Sequence, residues 1–197
     1  MIDQITVMRT EKKYEISYFT SYKLKNMLST ALHNDEFNNG DGYSVRSLYF
    51  DTLYDNDYRD KQDGLENRKK IRLRIYNPED ETVKLELKEK VGENQLKRSL
   101  SITKDMAYEL IQGNYSCLLE INNEFAKELF FIMQTNLYKP KCIVEYTRHA
   151  YIVQENNIRI TIDSNIRATE ANFDIFSKNL NLYNVSSQII LEVKYNN

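Results

Sequence analysis

The feature that most constrains this chain is the alternation of charged and apolar residues in KKIRLRIYNPEDETVKLELKEK, from Lys69 to Lys90. Before and after the NPEDE segment, every second residue is Ile, Leu or Val, and the residues between them are Lys, Arg or Glu. A period of two is typical of a β-strand with one buried face. The two halves are therefore predicted to be strands, and their short connection makes them antiparallel neighbours.

Similar patterns occur along the whole chain and predict the fold class. Eight strands are expected, at 5–17, 44–51, 69–76, 82–90, 96–102, 141–153, 157–163 and 187–195. Apolar residues at helical spacing predict three helices, at 21–32, 104–112 and 123–138. The prediction is an α+β protein, mainly antiparallel β, in which about eight strands form a sheet or a barrel.

Composition indicates one domain over residues 1–197. A chain of 197 residues with 41% hydrophobic content can build one substantial core. Only 5 Gly and 2 Pro are present, so no flexible linker is expected between separate units.

Charge and cysteine usage restrict partners and location. A net charge of -2 argues against general affinity for nucleic acid or for an anionic membrane surface. Two cysteines are too few for a disulfide framework, the N-terminal segment is interrupted by charges, and no apolar run approaches membrane-spanning length. We therefore predict a cytoplasmic protein without a direct membrane segment.

The polar faces of the predicted strands are unusually basic. Seven of them carry Lys or Arg, and three repeat an E-x-K step that ends at Lys13, Lys88 and Lys194. The sixth strand is expected to add Glu145 and, through a bulge, Arg148. A solvated face with cross-strand ion pairs explains any one of these strands.

Taken together, the seven strands favour a closed barrel with its charged face inward. Such a lumen concentrates cations at a high cost unless an anion fills it. A polyanion such as a triphosphate, with a divalent metal held on the Glu residues, would balance that charge.

The same segments carry a resemblance to a known family. TEKKYEI, VRSLYFDT, KKIRLRIY, LELKEK, VEYTRHAY, IRITID and LEVKY occur in the order seen in the triphosphate tunnel metalloenzymes. The closest similarity is to the catalytic VTC (vacuolar transporter chaperone) domain, a polyphosphate polymerase, and it extends from about residue 7 to the C-terminus. The resemblance implies an eight-stranded tunnel barrel with a polar, basic lumen and a few flanking helices.

The resemblance also implies roles for individual residues. The phosphate-binding cations that match the family are Lys13, Arg72, Arg74, Lys88, Lys97, Arg148 and Arg159, and strand parity adds Lys70 and Lys194. Catalytic roles are expected for Arg72, Arg74, Lys88, Arg148 and Arg159. Glu192 in LEVKY matches the metal-ligating glutamate, Glu11 and Glu86 are further tunnel acids that could join it, and the expected cofactor is Mn²⁺ or Mg²⁺.

The implied reaction is transfer of the γ-phosphoryl group of ATP to the end of a growing inorganic polyphosphate chain. The similarity of VRSLYFDT, IRLRIY and LEVKY to the polymerase group favours this reaction. A tunnel triphosphatase that hydrolyses tripolyphosphate or a nucleoside triphosphate remains an alternative. So does a polyphosphate-binding module without turnover.

Three further expectations concern the surroundings of the tunnel. The chain stops two residues after LEVKY, whereas the resemblance implies a further C-terminal helix and a Ser-Lys-aromatic motif, which puts catalysis in question more than phosphate binding. The segment Asp51 to Gly64 is predicted to be a solvated loop at the tunnel mouth, with Lys61 close to ligand. A homodimer is expected, because three helices cannot easily cover the outward apolar faces of eight strands.

Overall fold

The fold is taken from a computed structural model that describes residues 4–35, 37–38, 40–92, 94–154 and 158–195. The strands are β1 Gln4–Ile16, β2 His33–Asn34, β3 Tyr43–Asp51, β4 Arg68–Ile75, β5 Thr82–Val91, β6 Asn94–Thr103, β7 Lys139–Val153, β8 Ile158–Thr169, β9 Tyr183–Ser186 and β10 Ile189–Tyr195. The α-helices are α1 Tyr18–Ala31, α2 Asn56–Gln62, α3 Lys104–Ile111 and α4 Glu124–Thr135, and a 3-10 helix covers Tyr115–Glu120.

Eight of the strands form a closed antiparallel barrel. Their order is β7-β3-β4-β5-β6-β1-β10-β8, and pairing of β8 with β7 closes the ring. The short strands β2 and β9 extend the sheet beside β7 and β8. The predicted fold class, an eight-stranded barrel with a few flanking helices, is confirmed.

The alternation in the sequence separates the two faces of the barrel wall. In the β4–β5 pair, Arg72 lies opposite Glu86, whereas the next pair, Leu73 and Leu85, is fully buried on the other face. The apolar face points outward and is covered by α3, the 3-10 helix, α4 and the segment 173–182. The main hydrophobic core is therefore outside the barrel, and the charged face is left for the lumen.

A second, smaller core lies under α1. Leu28 of this helix packs with Tyr151, Ile162 and Ile189 on the outward face of β7, β8 and β10. The side chain of Ser17 caps the helix by accepting a hydrogen bond from the backbone N–H of Thr20. The outward side chains of Met8 and Tyr14 on β1 are exposed, so the covering of the barrel is incomplete there.

The predicted loop from Asp51 to Gly64 contains a helix instead. The Asp51 carboxylate accepts hydrogen bonds from the backbone N–H groups of Thr52, Asp57 and Tyr58, and thereby holds the first turn of α2. The prediction of a solvated loop was wrong because the periodicity of a seven-residue helix is too short to recognise. The 3-10 helix and the short strands β2 and β9 were missed for the same reason.

A second correction concerns β7. Glu145 and Arg148 are three residues apart with no bulge between them on this strand, so they point to opposite faces, and Glu145 lies outside the barrel. The irregularity lies on β8. Glu145 pairs with Arg167 and Thr147 pairs with Ser164, so β8 has one more residue than β7 between these two pairs. Asn165 accommodates the extra residue with a φ of 54°, in the left-handed region that Asn tolerates.

Within the described ranges, no helix has both the length and the apolar character required to cross a membrane.

Candidate active site

The lumen of the barrel is a cavity of about 520 Å³ with a strongly cationic wall. Ten of the residues that line it are Lys or Arg, and three are acidic. The predicted site residues among them are Lys13, Arg72, Arg74, Lys88, Lys97, Arg148, Arg159, Lys194, Glu11 and Glu192. The barrel therefore brings residues from seven strands, far apart in sequence, around one space.

Two predicted residues occupy other positions. Lys70 lies opposite Lys88 in the β4–β5 pair but lines an adjoining cavity, which shares Tyr49 and Lys61 with the lumen. Glu86 lies on the lumen face of β5 but is buried beneath Arg72, Arg74 and Lys97, so it does not line the cavity.

Glu86 organises the arginine side of the lumen. Its carboxylate accepts from Nε of Arg72 at 2.7 Å, lies 3.8 Å from Nη1 of Arg74 and binds Nζ of Lys97 at 3.2 Å. Burial alone would raise the pKa of Glu86, but Arg72 and Arg74 hold that pKa well below its usual range. A permanent anion thus fixes cations on two neighbouring strands.

Glu192 is the corresponding centre on β10. It lies 3.2 Å from Nζ of Lys13, 2.8 Å from Nζ of Lys194 and 3.7 Å from Nη2 of Arg148. Burial opposes ionisation, yet Lys194 and Lys13 hold the pKa of Glu192 well below its usual range. Three cations share one carboxylate, so positive charge is left over for a ligand.

The lysines around these acids differ in mobility and basicity. The side chain of Lys13 is 57% exposed, so it can leave Glu192 and turn toward a ligand. Lys88 binds Oε2 of Glu11 at 2.6 Å, and burial lowers its pKa. Burial also lowers the pKa of Lys194, to about 8.

Two further arginines complete the wall on β7 and β8. Arg148 makes a two-pronged ion pair with Asp163, with both N–H···O distances at 2.7 Å. Arg159 donates to Asp35 at 2.7 Å and to the Tyr43 hydroxyl at 3.0 Å. Both guanidiniums are held in fixed orientations, which favours the paired recognition of phosphate oxygens.

The structure adds lumen residues that were not assigned to the site from sequence. Arg9 lines the cavity, and its buried Nε has no hydrogen-bond partner among the described residues. The parity that Arg9 shares with Glu11 and Lys13 on β1 was a signal for it. Tyr49 and Tyr146 hydrogen-bond Arg72 and Arg74, but their sequence positions suggested only sheet packing.

Tyr49 is electrostatically unusual. Burial raises the pKa of its phenol, but the positive charges of Arg72 and Arg74 outweigh burial and lower it to about 8. The hydroxyl accepts a hydrogen bond from Nη1 of Arg72 at 3.0 Å. Near pH 8 this side chain can therefore become an anion inside the cationic lumen.

The acidic residues allow a divalent ion only together with a ligand. Among the described residues, no three His, Cys, Asp or Glu side chains form a group that could hold a metal ion. Glu11 and Glu192 nevertheless lie on the same face of the neighbouring strands β1 and β10, and each is the cross-strand neighbour of a lysine. Two carboxylates with phosphate oxygens suit Mg²⁺ or Mn²⁺. Glu86 does not line the cavity, so the structure does not bring it together with these two acids.

Two other cavities lie outside the lumen. One of about 770 Å³ lies between α1, β8 and β9, and Lys25 is its only lysine or arginine among the described residues. The cavity adjoining the lumen, of about 650 Å³, mixes Lys61, Lys70 and Lys141 with four acids. Neither has the cationic excess of the lumen.

The comparisons with known proteins agree with this geometry. The family model of the VTC domain matches residues 8–197, nearly the entire chain. The chain belongs to the VTC domain family. A search of curated proteins found no match for this VTC domain.

Solved structures share the fold of this VTC domain at low sequence identity. One is a proposed adenylate cyclase from Bacillus halodurans, 13% identical, with a TM-score of 0.60, covering 96% of this chain and 81% of the other. Another is a proposed adenylyl cyclase from Hippeastrum with a dominant triphosphatase activity, 13% identical, with a TM-score of 0.57, covering 100% of this chain and 80% of the other. Both similarities support the tunnel fold.

Proposed function

We propose that this VTC domain is a polyphosphate polymerase that transfers the γ-phosphoryl group of ATP to the end of an inorganic polyphosphate chain inside the lumen. The observation that carries the proposal is the excess of cations in an enclosed cavity of a VTC-family barrel. Such an excess of buried positive charge lowers stability unless a polyanion is bound. The volume of the cavity suits a ligand the size of a triphosphate.

The roles of the residues follow from their contacts. Phosphoryl transfer requires positioning and charge stabilisation more than covalent participation by the protein. The fixed guanidiniums of Arg72, Arg74 and Arg148 would orient the phosphates, with Arg159 nearby. The lysines would move with the negative charge of the phosphates as it shifts during transfer; they are Lys13, Lys70, Lys88, Lys97 and Lys194.

The attacking group needs no protein base. A terminal phosphate oxygen of polyphosphate is already anionic near neutral pH, so a catalytic His or Ser is unnecessary. Glu11 and Glu192 would hold Mn²⁺ or Mg²⁺, and the bound ion would supply positive charge to offset the negative charge of the phosphates. The same two carboxylates would reduce the repulsion between the positive charges of Lys13, Lys88 and Lys194.

A tunnel triphosphatase is the second candidate. The structural neighbour from Hippeastrum, which has a dominant triphosphatase activity, favours it. The same cations would bind the substrate, and water would replace phosphate as the acceptor. A third candidate function is a module that binds polyphosphate without turnover.

Incubation with ATP and Mn²⁺, followed by phosphorus NMR and a polyphosphate gel, tests the proposal. Long chains together with ADP are the expected products. ADP with free phosphate would replace the polymerase with the triphosphatase. Unchanged ATP under these conditions would contradict both activities and favour the binding module.

The remaining expectations belong to the same proposal. We infer one domain over residues 1–197 and a cytoplasmic location, which the two free cysteines, Cys117 and Cys142, suit. A homodimer through the exposed outward face of β1 is also proposed, and it predicts a dimeric sedimentation profile at micromolar concentration. A monomeric profile would contradict it.

A further inference from the structure

An aromatic cluster stands at one end of the cationic lumen, and its rings are not used in the phosphate chemistry described above. Phe37, Tyr43 and Tyr76 form it, with ring centroids 6.0 to 6.3 Å apart. Tyr43 and Tyr76 line the lumen cavity. Phe37 is 59% exposed and Tyr76 49% exposed, so these rings contribute little to either hydrophobic core.

The segment that carries Phe37 is held firmly against the barrel. Asp35 accepts from the backbone N–H of Phe37 at 3.2 Å and from Arg159 at 2.7 Å. Asn38 exchanges two hydrogen bonds with the backbone of Ala150 on β7, at 2.8 and 3.1 Å. The backbone that carries this largely exposed phenyl ring is therefore anchored at the lumen mouth, and such pre-organisation favours binding.

The geometry of the rings suits a planar ligand. The planes of Phe37 and Tyr76 are only 4° from parallel, and Tyr43 lies edge-on or tilted to both. The hydroxyl of Tyr43 accepts from Arg159 at 3.0 Å, so a phosphate-binding cation directly adjoins the aromatic surface. An aromatic surface next to a row of cations matches a molecule with a flat ring at one end of a polyphosphate chain.

The opposite end of the lumen has a different character. Tyr49 lies six residues after Tyr43 on β3, about 20 Å further along the strand. Arg72 donates to its hydroxyl, and the adjoining cavity at this end places three lysines among four acids. The two ends therefore favour different parts of a substrate.

We propose that Phe37, Tyr43 and Tyr76 form a stacking site for the base of a nucleoside triphosphate, whose phosphates enter the lumen past Arg159. This inference rests on the proposed function, since it names the end of the tunnel that receives the nucleotide donor. Stacking on aromatic rings tolerates every base. The site therefore selects nucleotides over inorganic triphosphate without strong preference among bases.

Binding of ATP and of tripolyphosphate by calorimetry, both in EDTA to prevent turnover, tests the site. Phe37→Ala and Tyr76→Ala are expected to weaken ATP binding about tenfold, the usual order for one lost base–aromatic stack. Tripolyphosphate has no base, so its affinity should not change. Tyr76→Phe keeps the ring and should behave as wild type.

Phe131→Ala is the matched control, because Phe131 is also 59% exposed but lies on α4, outside the barrel. An unchanged affinity for ATP in both alanine variants would overturn the stacking site while leaving the proposed function intact. An equal loss for both ligands would also overturn it, because the rings would then support the lumen and not a base. Failure of the wild-type protein to bind either ligand would overturn the proposed function, and the stacking site with it.

Discussion

Two clusters of buried charge on opposite faces of the barrel wall are built differently. On the outer face, Glu145 binds Arg46 at 2.6 Å and Arg167 at 2.5 Å, and Nη1 of Arg46 also donates to the carbonyls of Ile175 and Ser177. On the inner face, Glu192 contacts Lys13, Lys194 and Arg148, and Arg148 also pairs with Asp163. The outer cluster leaves one arginine in excess, and the side chain of that residue, Arg167, is 46% exposed to solvent. The lumen instead gathers ten lysines and arginines around three acids in one cavity, so its surplus of positive charge is much larger.

The difference separates a structural ion cluster from one that needs a ligand. A buried pair with all its hydrogen bonds made fixes the position of a segment, here 173–182 on the barrel. A surplus of like charge in an enclosed space lowers stability until an anion enters. The four predictions below test whether this distinction is functional.

The largest expected effect is on turnover in Glu192→Gln. The substitution removes a carboxylate assigned to the metal, and loss of several kcal/mol of charge stabilisation should lower the rate by about 1000-fold or more. Binding of tripolyphosphate should persist, because the lumen becomes more positive. Steady-state rates with Mn²⁺ and calorimetric binding measure the two effects.

Glu145→Gln is its control, since Glu145 is also a buried carboxylate with two strong arginine contacts but lies on the outer face. It should retain turnover. Normal activity of Glu192→Gln at ordinary metal concentrations would remove Glu192 as a metal ligand.

Arg72→Ala should weaken tripolyphosphate binding by roughly 10- to 100-fold, the range for hydrogen bonds to charged groups. The melting temperature should stay close to that of the wild type, because Arg74 and Lys97 still neutralise Glu86 and cation crowding is relieved. Arg98→Ala is the outer-face counterpart, since Arg98 binds Glu89 and Glu128 outside the lumen. Equal binding by the Arg72 and Arg98 variants would refute the lumen as the anion site.

Arg46→Ala should show the opposite profile. It removes a partner from the buried Glu145 and also the donor to the carbonyls of Ile175 and Ser177, and breaking such a buried network costs about 3 kcal/mol of unfolding free energy. That cost corresponds to a drop in melting temperature of roughly 6 to 12 °C for a chain of this size. Calorimetry should find an unchanged affinity for tripolyphosphate; a large loss of affinity would end the distinction between the two faces.

The smallest effect is the pH dependence of binding. Tyr49 is neutral below its pKa of about 8 and becomes a phenolate above it, so it then competes with phosphate for Arg72. Tripolyphosphate affinity in EDTA should fall by about threefold for this group as pH rises from 7 to 9.

Tyr49→Phe should make that decline shallower. Part of the decline should remain, because Lys194, with a pKa of about 8, loses its charge over the same range. Identical pH profiles for Tyr49→Phe and the wild type would exclude a phenolate at this position.

Much of the barrel could be predicted from the chain because alternation is a local property. Lys70 to Ile75 and Val83 to Lys88 have strict parity, and the structure pairs them in register. Thr103 was a recognisable N-cap, and its hydroxyl accepts from the backbone N–H of Met106 as expected. The helices α1, α3 and α4 begin and end within a few residues of their predicted bounds.

The misassigned features depended on contacts between distant segments. Nothing local to Glu145 shows that it faces Arg46, ninety-nine positions earlier in the chain, instead of the lumen. The aromatic cluster needs Asp35 and Asn38 to bind Arg159 and Ala150, more than a hundred positions later. Helix α2 is too short for periodicity to reveal.

The sequence alone determined the face to which most charged side chains belong, because successive residues of a strand must point to opposite sides. The charge pattern favoured a closed barrel, but only the tertiary structure established that this face encloses a lumen, since closure depends on the pairing of β7 with β8. The fold likewise decided which acids neutralise which cations, because these ion pairs join different strands, and the sequence does not show which strands lie side by side. The residual positive charge, and with it the candidate site, is a property of the closed barrel.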